Sequence, residues 1–319
     1  MLRWGFDLRV LVTGGVGFIG SHVVEELVRG GYEVVVLDNL SNSDLRNIEG
    51  FLDEVVFFKG DVRDSDVVSK AVEGVDAVVH LAALIDAVES FDKPLLYHEV
   101  NVYGTHVLLK KCVDLGVSRF IYASTTAVYG EPVNVPTPED EFLKPINPYG
   151  LTKALSEKLV KYYSRAYGLK TTIFRLFNVY GPKQWRSRYA GVITKFIERV
   201  SKGEPPIIFG DGEQVRDFIY VEDVAKVFIK SLEEGVDGLY NLGTGRGVKI
   251  KDLAELVIKA FGLKELKPIH APPRPGDIIR SVADITKLKE VFNVKLTDLE
   301  EGIRKTIEDY KNHSRTNGR

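Results

Sequence analysis

Tyr149 and Lys153 stand one helical turn apart in Asn147-Pro148-Tyr149-Gly150-Leu151-Thr152-Lys153, and of fourteen tyrosines this one alone has lysine four residues on. On a helix that spacing stacks both side chains on one face, where an ammonium beside a phenol favours its deprotonation. A phenol poised to lose its proton is a general base. A second constellation, Thr13-Gly14-Gly15-Val16-Gly17-Phe18-Ile19-Gly20, has glycines where a backbone must turn tightly and approach a pyrophosphate at a helix N-terminus. A glycine pattern alone is a weak signal, and its meaning depends on the elements around it.

From Leu8 the chain alternates short β-branched runs with amphipathic helical stretches, the βαβ signature of a parallel sheet covered on both faces. The pattern predicts a strand over Arg9 to Thr13, a helix from about Phe18 to Arg29 stopped by Gly30-Gly31, and a second strand over Val34 to Leu37. Apolar runs at Val55-Phe58, Ala77-Leu81, Phe120-Ala123 and Thr172-Leu176 continue it, separated by helices such as Val100 to Leu115 and Tyr149 to Tyr167. The glycine turn therefore joins a strand to a helix, and Asp38 ends strand two, as a dinucleotide site requires. Asp38 can accept hydrogen bonds from the adenosine ribose hydroxyls and repel a 2′-phosphate; no arginine follows it until Arg46, which favours NAD over NADP. Asp61 either holds the adenine edge or caps the following helix. Thr125 follows a strand, so its hydroxyl lies at a carboxyl end, where open α/β sheets bind ligands. After about residue 180 proline and glycine punctuation sets in, as in Gly203-Glu204-Pro205-Pro206 and Ala271-Pro272-Pro273-Arg274-Pro275-Gly276. The expected architecture is α/β. A Rossmann-type doubly wound parallel sheet occupies residues 8–180, with some later segments returning to it; a smaller C-terminal α/β substrate lobe spans 181–311, and 312–319 form a frayed tail.

The composition narrows the partners. With 319 residues and 44% hydrophobic content the chain can bury a large core, and a net charge of −2 without lysine and arginine runs among aromatics suggests neither nucleic acid nor an anionic membrane surface. Small molecules are expected. The single cysteine, Cys112, rules out an intrachain disulfide, and the six histidines lack HxxH or HExxH spacing, so no metal site and a cytoplasmic location are expected. The apolar run Val10 to Ile19 is broken by glycines, and no stretch reaches the roughly 18 apolar residues that span a bilayer, so neither export nor insertion is expected. Scarce Met and Cys beside abundant Glu and Lys lean toward a thermophilic source.

These residues resemble the extended short-chain dehydrogenase/reductase family and, within it, the UDP-glucose (UDP-galactose) 4-epimerases. The resemblance runs over nearly the whole chain. It includes the glycine turn, Asp38-Asn39-Leu40-Ser41-Asn42-Ser43, Asp61-Val62, His80-Leu81-Ala82-Ala83, Asn101-Val102-Tyr103-Gly104-Thr105, Ser124-Thr125-Thr126-Ala127-Val128-Tyr129-Gly130 and Tyr149 with Lys153. Phe177-Asn178-Val179-Tyr180-Gly181, Val215-Arg216-Asp217-Phe218 and Arg274-Pro275-Gly276-Asp277 follow downstream. The resemblance implies that Gly14, Gly17, Phe18, Ile19, Gly20, Asp38, Asn39, Leu40, Ser41, Asn42, Ser43, Asp61, Val62, Leu81 to Ile85 (Ala82 and Ala83 included), Asn101, Ser124, Tyr149, Lys153 and Phe177 surround NAD. It implies Thr125, Tyr149 and Lys153 as catalytic residues. Thr125, Tyr149, Asn178, Val192, Arg216, Arg274 and Asp277 would contact a UDP-sugar, the arginines binding phosphate oxygens bidentately.

The implied reaction is inversion at C4 of a UDP-hexose: Tyr149 removes the 4-hydroxyl proton while the C4 hydride passes to NAD⁺, and hydride returns to the opposite face of a rotated 4-keto sugar. Nucleotide-sugar dehydratases share the scaffold but typically carry an acid just after the catalytic threonine, where this chain has Thr126-Ala127. Net redox chemistry and a non-catalytic NAD sensor are further alternatives; the intact Thr125, Tyr149 and Lys153 argue against a sensor. Ser281 stands where some glucose-restricted epimerases carry a tyrosine, which leaves specificity open among UDP-glucose, UDP-N-acetylglucosamine and UDP-glucuronate. The family pairs the helices Val100 to Leu115 and Tyr149 to Tyr167 across a two-fold axis into a four-helix bundle. A homodimer is therefore expected, with Leu108, Leu109, Cys112, Leu155, Leu159, Tyr162 and Tyr163 supplying apolar surface either to that interface or to packing against the sheet.

Overall fold

The computed structural model describes residues 8–274 and 276–316, with side chains through residue 312. In chain order the first half contains β1 (Arg9–Thr13), α1 (Phe18–Arg29), β2 (Glu33–Asp38), β3 (Val55–Lys59), α2 (Ser65–Val72), β4 (Ala77–His80), α3 (Glu89–Asp92), α4 (Pro94–Tyr97), a π-helical turn (His98–Tyr103) and α5 (Gly104–Asp114). Next come β5 (Arg119–Thr125), α6 (Pro148–Tyr167), β6 (Lys170–Leu176), β7 (Asn178–Tyr180), α7 (Val192–Ser201), β8 (Ile207–Phe209), β9 (Val215–Tyr220) and α8 (Val221–Glu233). The chain closes with β10 (Gly238–Leu242), β11 (Gly247–Lys249), α9 (Ile250–Ala260), β12 (Ile269–Ala271), β13 (Arg280–Ser281), α10 (Thr286–Val291) and α11 (Leu299–Thr316).

Two compact units result. Among the described residues the first comprises 8–130, 143–176 and 224–240, and the second 131–142, 177–223, 241–274 and 276–316. The first unit holds a seven-stranded sheet in the order β3-β2-β1-β4-β5-β6-β10. The pairings from β3 through β6 are parallel, with Thr13 opposite Leu37 on one side and His80 on the other. Strands β1, β2 and β4 are rich in valine because both of their faces are buried. Leu11, Val35, Leu37, Val78, Phe120 and Ile173 pack with Val68 and Val72 of α2, Leu108, Leu109 and Cys112 of α5, and Val160 and Tyr163 of α6. The alternate residues Val10, Val12, Val34 and Val36 are also withdrawn from solvent. Strand order reverses between β1 and β4, so the carboxyl ends of these two strands flank the switch point where such sheets bind ligands.

The helix expected from Val100 starts as the π-helical turn and becomes α-helical only at Gly104. Of the two roles open to the apolar residues of α5 and α6, packing against the sheet takes most of them. Leu108, Leu109, Cys112 and Tyr163 lie in the core described above, and Leu159 packs partly against it, so these residues are not free to form an interface. Tyr162 does stand on the surface, 54% exposed.

In the second unit β9 is central: it pairs antiparallel with β11 and parallel with β13 and β7, while β8 and β12 form a separate parallel pair. Helices α7, α9 and α11 bring Ile193, Phe196, Leu253, Val257, Ile303 and Ile307 onto Phe218 and Tyr220. Helix α11 continues to Thr316, into the segment expected to form a frayed tail. Among the described residues no helix is long and apolar enough to cross a membrane, and no group of three His, Cys, Asp or Glu side chains could hold a metal ion.

Candidate active site

The turn after β1 is built for close approach. Gly14 has φ +69°, and a Cβ there would lie 2.8 Å from the backbone nitrogen of Ala82. A Cβ on Gly20 would lie 2.1 Å from the Gly14 carbonyl oxygen, so only glycine lets α1 start so close to the turn. Gly17 caps α1 without a side-chain hydrogen bond, and no acid occupies the first turn. The positive end of the helix thus meets no side-chain acceptor of its own, which suits a phosphate.

Asp38, 7% exposed at the end of β2, accepts from the amides of Val16 (3.1 Å) and Leu40 (2.8 Å) and from Ser43 Oγ (2.7 Å). It thereby ties the glycine turn to the Leu40–Ser43 loop and, with about four acceptor positions on a carboxylate, retains capacity for a ribose hydroxyl. Beside it Asn39 donates to Asp61 (2.9 Å), and the Arg63 guanidinium holds the Asp61 carboxyl down at about 2. Asp61 thus remains an acceptor at neutral pH, already engaged by Arg63 and Asn39. Val62 is buried under Gly104. Beyond β4, Leu81 and Ala82 are anchored to Thr13, and Leu84 exchanges hydrogen bonds of 2.8 and 2.9 Å with the Asn101 amide. Asn101 also donates to Thr152 (3.0 Å), so one buried side chain ties the loop after β4 to α6.

Helix α6 sets the position of the base. Asn147 caps it by accepting from the Gly150 amide (2.8 Å), Pro148 occupies its first position, and Tyr149 therefore sits in the first turn with Lys153 one turn below. Thr125 ends β5, accepts from the Ala127 amide (3.2 Å) and has its hydroxyl close enough to the Tyr149 phenol to ease its ionisation. The three predicted catalytic side chains are brought together within the first unit.

Their electrostatics differ from the sequence expectation. Burial pushes the Tyr149 phenol up to about 12, and the group that opposes this is Thr125. The Lys153 Nζ lies over the Tyr122 ring, 4.2 Å from the centroid. Burial draws Lys153 itself down to about 7, against the favourable charge of Glu157. His80, fully buried between Thr13 (2.6 Å) and Thr105 (2.9 Å), is depressed to about 3 by burial and by Lys153, and stays neutral.

Sequence reading missed the layer beneath these residues. Glu157, 1% exposed, accepts from Arg175 Nε (2.9 Å) and Nη2 (2.7 Å) and from Ser124 Oγ (2.5 Å), while Arg175 Nη1 donates to the Tyr129 hydroxyl (2.9 Å). A usable signal was present, since Glu157 follows Lys153 by the same four residues that separate Lys153 from Tyr149.

The residues expected to contact substrate, other than Thr125 and Tyr149, fall in the second unit, as does Phe177, whose amide bonds the Leu242 carbonyl (3.0 Å). Arg216 pairs with Asp277, and Asp277 in turn donates its amide to the Arg274 carbonyl (3.3 Å). Burial lowers the Arg216 pKa against the attraction of Asp277 and Glu131. The Arg274 guanidinium lies over the Phe209 ring at 3.8 Å. Asn178 donates to the Asp217 carbonyl (3.1 Å), and Val192 opens α7, whose cap Gly191 offers no side-chain bond. Buried Asp217 gathers the Thr244 hydroxyl (2.6 Å) and the amides of Thr244, Gly245 and Ala283.

Residues 10–243 match the model of the NAD dependent epimerase/dehydratase family. A UDP-glucose 4-epimerase of Mycolicibacterium smegmatis is 36% identical over 96% of this chain and 100% of its own length. Two solved structures superpose closely. A UDP-N-acetylglucosamine 4-epimerase from Methanobrevibacter ruminantium, in complex with UDP-N-acetylmuramic acid, has a TM-score of 0.92 and 37% identity over 97% of this chain and 99% of that one. The Thermus thermophilus UDP-glucose 4-epimerase in complex with NAD has a TM-score of 0.87 and 40% identity over 95% of this chain and 99% of that one.

Proposed function

The chain belongs to the NAD dependent epimerase/dehydratase family, and on that premise we propose that it inverts C4 of a UDP-hexose, interconverting UDP-galactose and UDP-glucose through a transient 4-keto sugar. The observation that carries the reading is the convergence of Thr125, Tyr149 and Lys153 at the carboxyl end of β5. The glycine turn, the uncapped start of α1 and Asp38 fit NAD, whose pyrophosphate they would hold at the helix N-terminus and whose ribose Asp38 would accept. When bound, NAD⁺ supplies a hydride acceptor that later returns the hydride, together with a positive charge.

The residues supply the rest. Tyr149 takes the 4-hydroxyl proton and gives it back after the sugar has turned. Thr125 would hold the sugar oxygen beside the phenol, Lys153 would orient the nicotinamide ribose, and the positive charge of bound NAD⁺ would favour phenolate over phenol. In the second unit Asn178, Arg216 and Arg274 are the groups suited to the diphosphate, with Val192 and Asp277 beside the nucleotide. The reading is tested by proton NMR of purified protein with UDP-galactose, with and without added NAD⁺. Growth of the UDP-glucose anomeric signal supports it; no conversion under either condition refutes it.

One observation favours a second reading, UDP-N-acetylglucosamine as substrate. Ser281 on β13 is small and 7% exposed, and the relative with the higher TM-score acts on that sugar. The assembly we propose is a homodimer through α6 and its neighbours. Tyr162 and Tyr167 of α6, with Tyr103, Phe91 and Leu95 before α5, are more than half exposed, and these aromatic and aliphatic groups suit a helix-bundle interface. Buried, unpaired Cys112 fits a cytoplasmic enzyme.

A further inference from the structure

The geometry points to Glu157 as a positioning residue of the reaction centre, fixing Thr125 through Ser124 and the following turn through Arg175 and Tyr129, while presenting a fixed negative charge beneath Lys153. The inference rests on the reading of Thr125, Tyr149 and Lys153 as the reacting constellation. One carboxylate joins four pieces of the first unit: α6, which carries the base; Ser124, next to Thr125 on β5; Arg175 on β6; and, through Arg175, Tyr129, which closes the short helical turn Thr126–Val128. Arg175 also stacks on Tyr129, 4.7 Å from the ring centroid. Arg175 and Glu157 are 2% and 1% exposed.

Stability alone is a poor reason for such a pair, because removing two charges from water costs about as much as their attraction returns, and apolar replacements are often neutral or better. What the pair provides is geometry: a bidentate guanidinium and carboxylate leave each other little rotational freedom. A shift of Ser124 would carry Thr125 with it, and the Thr125 hydroxyl stands beside the phenol.

The charge matters because Lys153 is otherwise poorly placed to stay protonated. Its Nζ lies over the Tyr122 ring of β5, His80 on β4 is close enough to feel its charge, Tyr149 precedes it by one turn on α6, and Glu157, one turn on, is the acid that acts on it. His80 is neutral, and Glu157 is the group that counters the burial of the ammonium.

The test follows two signals in protein labelled with ¹³C at the lysine ε-carbon, the Lys153 resonance being the one lost in Lys153→Met. In Glu157→Gln the midpoint of that resonance should fall by about one pH unit, and turnover of the nucleotide sugar should drop about tenfold or more, with its alkaline limb moved to lower pH. Glu157→Asp should recover part of both. Should Glu157→Gln fail to fold because Arg175 is left uncompensated, the double variant Glu157→Gln/Arg175→Leu replaces it, and a lowered Lys153 midpoint is again expected. An unmoved midpoint with an unmoved alkaline limb, in whichever variant folds, overturns the inference. If wild type turns over and Tyr149→Phe does not, the catalytic reading stands whatever Glu157 does; if Tyr149→Phe keeps wild-type turnover, that reading fails separately.

Discussion

At the scale of the residue, the proposed function rests on two groups whose ordinary acidities burial has moved. Replacing Tyr149 by Phe deletes one oxygen and keeps the ring, so turnover should fall by about two orders of magnitude or more while the thermal melt is preserved. Lys153 makes a prediction about stability. Its pKa is near 7 when folded, against 10.5 for the ordinary group, so between those values the unfolded chain binds the extra proton and stability from this group rises with pH. The stability of wild type relative to Lys153→Met should therefore increase from pH 7 to pH 9, by up to roughly 1.4 kcal/mol per pH unit, measured by denaturant unfolding. Tyr149 has the opposite sign above pH 10, where the folded state holds the proton that the unfolded chain releases. A relative stability that is flat or falling from pH 7 to 9 would show that Lys153 is not held in a desolvated site.

At the scale of the element, the first strand, turn and helix were legible because their cues are local: β-branched runs, glycines at fixed offsets and a Gly30-Gly31 stop. The capped start of α6 was equally local, with Asn147 and Pro148 adjacent in sequence to Tyr149. What sequence could not deliver was direction. Spacing puts Tyr149 and Lys153 on one face, but β5 supplies Tyr122, and its ring takes the ammonium. Arg175, eighteen residues beyond Glu157, likewise shows itself as a partner only when β6 is laid beside β5. The apolar residues of α5 were ambiguous for the same reason, and the sheet, not a partner, claims them. The glycine turn yields a sharp test. Gly20→Ala forces its Cβ against the Gly14 carbonyl, so NAD retained through purification, assayed after acid release, should fall at least tenfold. Retention equal to wild type would separate the turn from cofactor binding. In the second unit, Ser281→Tyr fills a small buried position on β13 and should lower turnover of UDP-N-acetylglucosamine more than that of UDP-galactose.

At the scale of the whole molecule, the chain interleaves its two units, since residues 131–142 leave the first and 224–240 return to it. The returning strand β10 takes its place at the sheet edge by pairing with β6 across some sixty residues of sequence, a pairing that no local cue near residue 180 specifies. The exposed aromatic groups of α6 predict a dimer by light scattering, and Tyr162→Glu with Tyr167→Glu should yield monomers, because two charges would then be buried without partners. The central claim, inversion at C4 by a hydride that leaves and returns, is tested most directly with UDP-galactose carrying deuterium at C4, incubated with the purified protein in ordinary water. The account predicts UDP-glucose that keeps its deuterium at C4, since the hydride never exchanges with solvent; product bearing solvent hydrogen at C4 would contradict it.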